Sequence, residues 1–114
     1  MHSLRLIYTT WPDADSAQAA AGIAVTEGLC ACANLLPGMT SVYRWQGKIE
    51  TAGECVALFK TSQAAAETLV ARLTELHPYD EPAILGLPID AESSAAGFLD
   101  WVASETGLGR GDPR

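Results

Sequence analysis

The sequence has little charge, and basic side chains are especially few. Charged residues make up 18% of the 114 residues, against about 25% in an average globular domain. Seven lysines and arginines stand against fourteen acids, which gives a formal net charge of −7. Such a chain is a poor partner for nucleic acid or for an anionic membrane surface. Because 48% of the residues are hydrophobic, a domain of this size has apolar surface to hide, which favours self-association.

Targeting segments and a disulfide framework are also missing. No apolar run approaches the roughly 20 residues that a membrane span needs, and residues 1–5 lack the apolar core and cleavage site of a signal peptide. The three cysteines are an odd number, and Cys30 and Cys32 are too close on one strand for an easy disulfide. The sequence therefore predicts a reduced, cytoplasmic protein.

Motifs of enzyme active sites are absent as well. The sequence contains no serine elbow, no phosphate-binding loop, no histidine-rich zinc signature and no nucleophile–base pair. It therefore predicts a protein that acts by binding and not by catalysis.

Periodicity and turn signals predict the order strand, helix, strand, strand, helix, strand, followed by a last helix. This is the order of an α+β, ferredoxin-like βαββαβ sandwich with a C-terminal helix. Residues 1–108 are predicted to form this single domain, and residues 109–114 a flexible tail. The predicted strands are 4–10, 29–36 with its continuation into a hairpin, 54–60 and 84–89. The first helix is predicted to start after Asp13 or Asp15 and to end at Gly28. The second starts at Thr61 or Ser62 and ends at His77, and the third starts at Ser93 or Ser94 and ends at Gly107.

A long hairpin over residues 37–50 is the most distinctive predicted element. It opens at a Pro-Gly turn signal and reverses at residues 46–48. Alternation places Tyr43 and Trp45 on one face, near the tip, where a domain's own core is out of reach. Large rings left in water favour an arm that contacts a partner chain. The alternative is a hairpin folded back over its own sheet.

The segment 77–82, His-Pro-Tyr-Asp-Glu-Pro, concentrates polar chemistry in six residues. Imidazole and carboxylate ligands from His77, Asp80 and Glu81 suit a divalent metal such as Zn, Ni or Cu(II). The alternative is a loop that ends a helix, with solvated acids and a histidine that favours the helix C-terminus.

Two further positions have a functional and a structural interpretation. Cys30 and Cys32, predicted to share a face, could bind a soft cation such as Cu(I), or could be small buried hydrophobic residues. Lys60, next to a predicted helix N-terminus, could bind an anion, or could be a solvated lysine.

Several stretches together resemble the CutA family of divalent-cation tolerance proteins, over residues 4 to 106. The most specific are residues 41–49, Ser-Val-Tyr-Arg-Trp-Gln-Gly-Lys-Ile, and 77–79, His-Pro-Tyr. The resemblance implies a ferredoxin-like protomer in a homotrimer, similar in outline to PII signalling proteins. The other matching stretches are Cys-Ala-Asn-Leu-Leu-Pro-Gly (32–38), Phe-Lys-Thr (59–61), Glu-Leu before His77, Pro82, Leu-Pro-Ile (87–89) and Leu-Asp-Trp (99–101).

The resemblance also implies a metal site, from which this sequence departs. Some members of the family bind Cu(II) through a cysteine at the end of the first strand and a pair of histidines before Pro-Tyr. Here Thr9 replaces the cysteine and Leu76 the first histidine, and His77 is retained. A hydroxyl and an isobutyl group do not substitute for a thiolate and an imidazole. The resemblance therefore implies weak binding, by His77 with Asp80, Glu81 or a neighbouring subunit.

Three functions follow as hypotheses. The first is a trimer that responds to divalent metal by binding it, with His77, Asp80, Glu81 and Cys32 as candidate ligands. The second is a PII-like sensor of a small molecule or anion at clefts between subunits. The third is a structural trimer that anchors a partner protein. The predicted cleft of the sensor is lined by Tyr43, Trp45, Lys60 and Tyr79.

Overall fold

The structure is a computed structural model that describes residues 2–106, so the predicted tail at 109–114 lies outside the described residues. One four-stranded antiparallel sheet has the strand order β2-β3-β1-β4. This confirms the predicted ferredoxin-like arrangement. The elements are β1 Leu4–Trp11, α1 Ala14–Thr26, β2 Cys32–Trp45, β3 Lys48–Ser62, α2 Gln63–Leu76, β4 Ile84–Pro88 and α3 Ala96–Glu105.

Side-chain caps start the first two helices, as the sequence predicted. The Asp13 carboxylate accepts from the Ser16 N–H at 2.7 Å, and the Ser62 hydroxyl accepts from the Ala65 N–H at 3.2 Å. Each cap satisfies a backbone donor that has no partner within the helix. Gly28 follows α1 with φ of +73°, the left-handed conformation that a glycine adopts at low cost.

The start of α3 was predicted wrongly. The helix begins at Ala96, and its N-cap residue Ala95 makes no side-chain capping bond. Ser93 and Ser94 lie in the preceding turn, where both are hydrogen-bonded to Asp90. A local turn with an aspartate competes with the capping role for which these serines are suited.

The core lies between the sheet and the helices α1 and α2. A stripe of buried alanines on α1 allows that helix to lie close to the sheet. Trp11 and Phe59 from the strands and Leu69 and Leu73 from α2 fill the space, all fully buried. The third helix covers only one end of the opposite sheet face, where Leu99 and Val102 pack on Leu4.

The rest of that opposite face remains open and apolar. Leu36, Leu85 and Leu87 are 52%, 60% and 44% exposed. Leu58 lies on the same face and in the same cross-strand row as Leu85, because both residues pair with Tyr8 of the strand between them. The prediction that one face of the sheet is covered by two helices and the other left largely bare is confirmed.

The two hairpin strands, β2 and β3, run further without interruption than predicted. β2 continues through Pro37 and Gly38, with a bulge between Leu36 and Met39, and begins at Cys32 and not at Leu29. β3 runs without interruption from Lys48 to Ser62, so the predicted break at residues 51–53 does not exist. The bulge inserts one extra residue into β2, which lets the strand absorb the Pro-Gly pair without ending.

Beyond the end of β1 the two strands pair only with each other, and we call residues 39–54 the arm. Trp11, the last residue of β1, pairs with Cys55, so seven residues of β3 extend past the sheet, roughly 24 Å at the rise of a strand. Val42, Trp45 and Ile49 on the arm are 58–68% exposed. The arm therefore does not fold back over its own sheet, and it makes the chain 51 Å long against 28 and 21 Å.

The arm reverses in a two-residue turn. Gln46 and Gly47 have φ angles of +50° and +80°, the type I′ geometry that fits the twist of a hairpin. The predicted reversal at residues 46–48 is confirmed.

We expect Gly47→Ala to lower the free energy of unfolding by about 1 kcal/mol, because a side chain at positive φ is strained. A Cβ atom at Gly47 would meet no neighbouring atom, so the backbone alone would cause the loss. Gly22→Ala is the matched control, since that glycine lies within α1 and its Cβ would also meet nothing. The control should gain about 0.5–1 kcal/mol. Urea unfolding at one protein concentration measures both, and equal changes would contradict the turn assignment.

Candidate functional site

His77, the first residue after α2, is buried at the end of β1. Its ring stacks on Trp11 with a centroid distance of 4.2 Å and an interplanar angle of 28°, and the residue is 7% exposed. The Tyr79 backbone N–H donates to Nδ1 at 3.1 Å. Nε2 therefore carries the proton and donates to the Thr10 carbonyl at 2.7 Å. Both ring nitrogens of a neutral imidazole are thus occupied within the chain.

Thr9 fixes the indole on which His77 stacks. The Trp11 Nε1–H donates to the Thr9 hydroxyl at 2.6 Å, and that hydroxyl donates to the Ala57 carbonyl at 2.9 Å. Thr9 and Trp11 are both fully buried, so the two bonds satisfy polar atoms that water does not reach. The resemblance expects a metal-binding cysteine at Thr9, but here the residue has a structural role.

Tyr79 joins this buried stack to the base of the arm. Its hydroxyl donates to Glu54 Oε2 at 3.3 Å, and the Ser41 hydroxyl donates to Glu54 Oε1 at 2.6 Å. The Tyr79 ring also lies 4.9 Å from that of His77, centroid to centroid. We call Trp11, His77, Tyr79, Glu54 and Ser41 the arm-base cluster.

The electrostatic environment of the cluster is acidic. Partial burial raises the pKa of Tyr79, and the nearby Glu54 carboxylate raises it further; Tyr43 and Asp13 add smaller effects in the same direction. Asp80 and Glu81 follow Tyr79 in the chain and are exposed. Negative groups converge here from β3, from the start of α1 and from the loop, which favours a cation over an anion.

The predicted metal ligands are only partly brought together. His77, Asp80 and Glu81 share one loop, whereas Cys32 pairs with Lys60, which pairs with Leu6. Leu6 precedes Trp11 by five residues, so Cys32 lies about 17 Å along the strand direction from the arm-base cluster. Within residues 2–106, no three His, Cys, Asp or Glu side chains lie close enough to hold a metal ion. The described donors of one chain therefore do not make a preformed copper site.

The cysteines do not form a thiolate pair. Cys30 belongs to the core beneath α1, and Cys32 lies in a cross-strand row with Lys60 and Leu6 on the opposite sheet face. The prediction that the two thiols share a face is wrong, because Cys30 precedes β2. Burial, with a smaller effect from Cys32, raises the pKa of Cys30 to about 12, which makes it a poor soft-metal ligand.

The predicted small-molecule cleft is divided among three places. Tyr79 lies at the arm base, with Tyr43 of the arm near enough to raise its pKa. Trp45 is at the arm tip, and Lys60 donates to Asn34 on the open sheet face. Glu54 and Ser41 were missed by the sequence reasoning. Their place depends on the bulge in β2, which brings Met39 opposite Glu54, and no local pattern marks that register.

The comparisons with known proteins agree on one family. The family model described as CutA1 divalent ion tolerance protein matches residues 5–105. "Divalent-cation tolerance protein CutA" from Thermus thermophilus is 41% identical over 102 residues, 90% of this chain and 97% of the relative. "Protein CutA, chloroplastic" from Arabidopsis thaliana is 35% identical over 89% of this chain, which spans 54% of that longer protein.

Solved structures show the same relationship. "Divalent cation tolerance protein (Cut A1)" from Thermus thermophilus superposes with a TM-score of 0.86 at 38% identity, covering 91% of this chain and 99% of the other. "PII-like protein CutA" from Nostoc gives a TM-score of 0.84 at 32% identity, covering 91% of this chain and 98% of the other.

The hydroxyl of Thr9 should be necessary for the stability of the buried stack. Thr9→Val leaves the Trp11 indole N–H without an acceptor, and we expect a loss of about 1–3 kcal/mol in the free energy of unfolding. Thr9→Ser keeps the hydroxyl and should lose less. Chemical unfolding followed by circular dichroism measures both. A valine variant as stable as the wild type, with a less stable serine variant, would show that the methyl group and not the hydroxyl matters.

Tyr79 should contribute to alkaline destabilisation. Its pKa is raised above the ordinary 10.0 in the folded chain, so its stabilising effect is complete below pH 10 and is lost as the pH rises through the folded value. Tyr79→Phe removes this titration, and we expect a shallower fall of melting temperature above pH 10 than in the wild type. Glu54→Gln removes the carboxylate that raises the pKa of Tyr79 and should also make the fall shallower; identical slopes in all three proteins would contradict the assignment.

Proposed function

The chain belongs to the CutA1 divalent ion tolerance protein family, and we propose that it acts in the tolerance of divalent metal ions as a cytoplasmic homotrimer that binds a cation and catalyses no reaction. The extent of the family match supports this proposal most strongly, because it covers residues 5–105 of the 114. Relatives over nearly that whole length bear the name divalent-cation tolerance protein.

The proposed cation site is the loop 77–81 beside the arm base, for copper or another divalent ion. Asp80 and Glu81 are exposed there, and Glu54 adds a carboxylate nearby, hydrogen-bonded to Tyr79. His77 would have to give up the bond from the Tyr79 amide before its Nδ1 could bind a metal. This makes the site weak within one chain, and we propose that oxygen ligands of a neighbouring copy complete it. Cys32 remains a separate candidate, for a soft ion.

The homotrimer is supported by two uncovered features. The open sheet face exposes leucines from the two edge strands, β2 and β4, and an apolar surface of this kind favours association. The arm and the outer edge of β4 both present unpaired backbone groups, because β2 and β4 are the two edge strands. An arm that extends the sheet of a neighbour would satisfy such groups.

The compartment is proposed from the thiols and not from the relatives. The three cysteines are all free, which fits a reducing environment. Relatives are described as chloroplastic in Arabidopsis and periplasmic in Archaeoglobus fulgidus. Among residues 2–106, no helix is long and apolar enough to cross a membrane.

A second candidate is a sensor of a small molecule. The Nostoc structure is called PII-like. Tyr79 and Glu54 place a phenol and a carboxylate together at the arm base, and the phenol of Tyr43 is near enough to raise the pKa of Tyr79. A ligand at a hundred times its Kd would raise the stability of the protein by about 2.7 kcal/mol.

Native mass spectrometry during titration with Cu(II), Zn(II) and, under reducing conditions, Cu(I) tests the leading proposal. We expect an assembly with the mass of three 12.0-kDa chains and a fixed number of divalent ions per chain. The variant Asp80→Asn/Glu81→Gln should bind fewer ions, because two oxygen ligands lose their charge. His77→Ala should also bind fewer.

Asp15→Asn/Glu67→Gln is the control, since it removes the same charge from exposed positions on α1 and α2. Loss of ions in the control alone, or equal ion counts in every protein, would overturn the proposed site. A trimer with only scattered metal would favour the sensor, and a metabolite that raises its melting temperature would then identify the ligand class.

A further inference from the structure

The third helix carries an uncovered aromatic pair. Phe98 and Trp101 lie one helical turn apart with ring centroids 5.8 Å from each other, and they are 45% and 42% exposed. Leu99 and Val102, on the adjacent side of the helix, provide its packing on Leu4. The aromatic pair is therefore not needed to hold α3 on its own sheet.

The surroundings of this pair are acidic. Between positions 90 and 106 the chain has four acids and no lysine or arginine, and Asp100 lies between the two rings in sequence. Among the described residues Asp100 has one ionic partner, His2, whose Nε2 lies 2.9 Å from Oδ1. The other acids of the segment are Asp90, Glu92 and Glu105.

The tip of the arm has the complementary character. Residues 42–49 contain Arg44 and Lys48 and no acid, and within residues 2–106 neither cation forms a salt bridge. Trp45 and Ile49, both more than half exposed, add apolar surface. The chain as a whole has a net charge of −7, so the basic and aromatic tip has a charge opposite to that of the chain.

One chain cannot bring these two surfaces together. α3 packs at Leu4, the first residue of β1, and the arm leaves the sheet beyond Trp11, the last residue of that strand. The eight residues of β1 span about 27 Å, and the arm adds roughly 24 Å in the same direction. Two complementary surfaces at opposite ends of a molecule can meet only between copies, and a head-to-tail contact of this kind forms a ring when the rotation between copies closes, as in the proposed homotrimer.

We infer that the arm tip of one chain docks on α3 of a second copy, with Trp45 against Phe98 and Trp101 and with Arg44 and Lys48 beside Asp100 and Glu105. This inference rests on the proposed homotrimer and names the acceptor surface for its arm. Aromatic packing supplies the buried area, and the charges fix the orientation and exclude a docking of two arm tips on each other.

Charge reversal on the full-length chain tests the contact. Arg44→Glu/Lys48→Glu and, separately, Asp100→Lys/Glu105→Lys should each raise the protein concentration for half-assembly at least tenfold, as measured by sedimentation velocity at low salt. The chain carrying all four substitutions should return to within threefold of the wild type, because the attraction is restored with opposite signs. Circular dichroism checks that every variant is folded.

The control combines the arm reversal with Asp15→Lys/Glu67→Lys, which restores the same net charge on α1 and α2. It should not recover assembly. Recovery in this control would mean that net charge and not docking on α3 governs assembly. No recovery in the four-fold variant, whose net charge equals that of the wild type, would overturn the pairing of the arm tip with α3. A wild type that stays monomeric would overturn the homotrimer and this inference together, whereas a trimer unaffected by either reversal would overturn this inference alone.

Discussion

The Trp11 indole is the contact on which the candidate site depends. It is fully buried against the core, its N–H is bound by Thr9, and its face supports the His77 ring. Because His77 is also hydrogen-bonded to the Thr10 carbonyl and the Tyr79 amide, these contacts with the core fix the orientation of the loop after α2. Tyr79 transmits that orientation to Glu54 and Ser41 of the arm. A continuous line of contacts thus connects the core of the domain to the base of its most extended element.

These contacts change the role that the chemistry of the His-Pro-Tyr segment supports. An imidazole with two engaged nitrogens is a structural group first, and a metal must compete with a backbone donor to reach it. The Thr9 hydroxyl bonds to a carbonyl and an indole, as the buried site requires. The exposed carboxylates on the same loop are not so constrained. The proposed cation site therefore relies on oxygen ligands, with the histidine as their structural support.

Uncovered apolar surface is the second constraint. The helices cover one face of the sheet and leave leucines of the other in solvent, while the arm carries exposed aromatic and aliphatic side chains far from its own core. Neither surface can be buried by a rearrangement within one chain, because the arm points away from the sheet. The low charge content of the sequence fits the proposed burial of these surfaces by a neighbouring copy.

The sequence by itself determined the element order, the helix caps at Asp13 and Ser62, the turn at Gln46 and Gly47, and the concentration of polar groups at His77. Each of these follows from local chemistry: hydrogen-bonding side chains at helix starts, positive φ at a glycine, proline after a helix. The tertiary structure alone decided the continuity of β2 through Pro37, the separation of Cys30 from Cys32, the role of Thr9 and the meeting of Glu54 with Tyr79. These depend on a bulge and on strand register, which join residues far apart in the chain and leave no periodic trace in it.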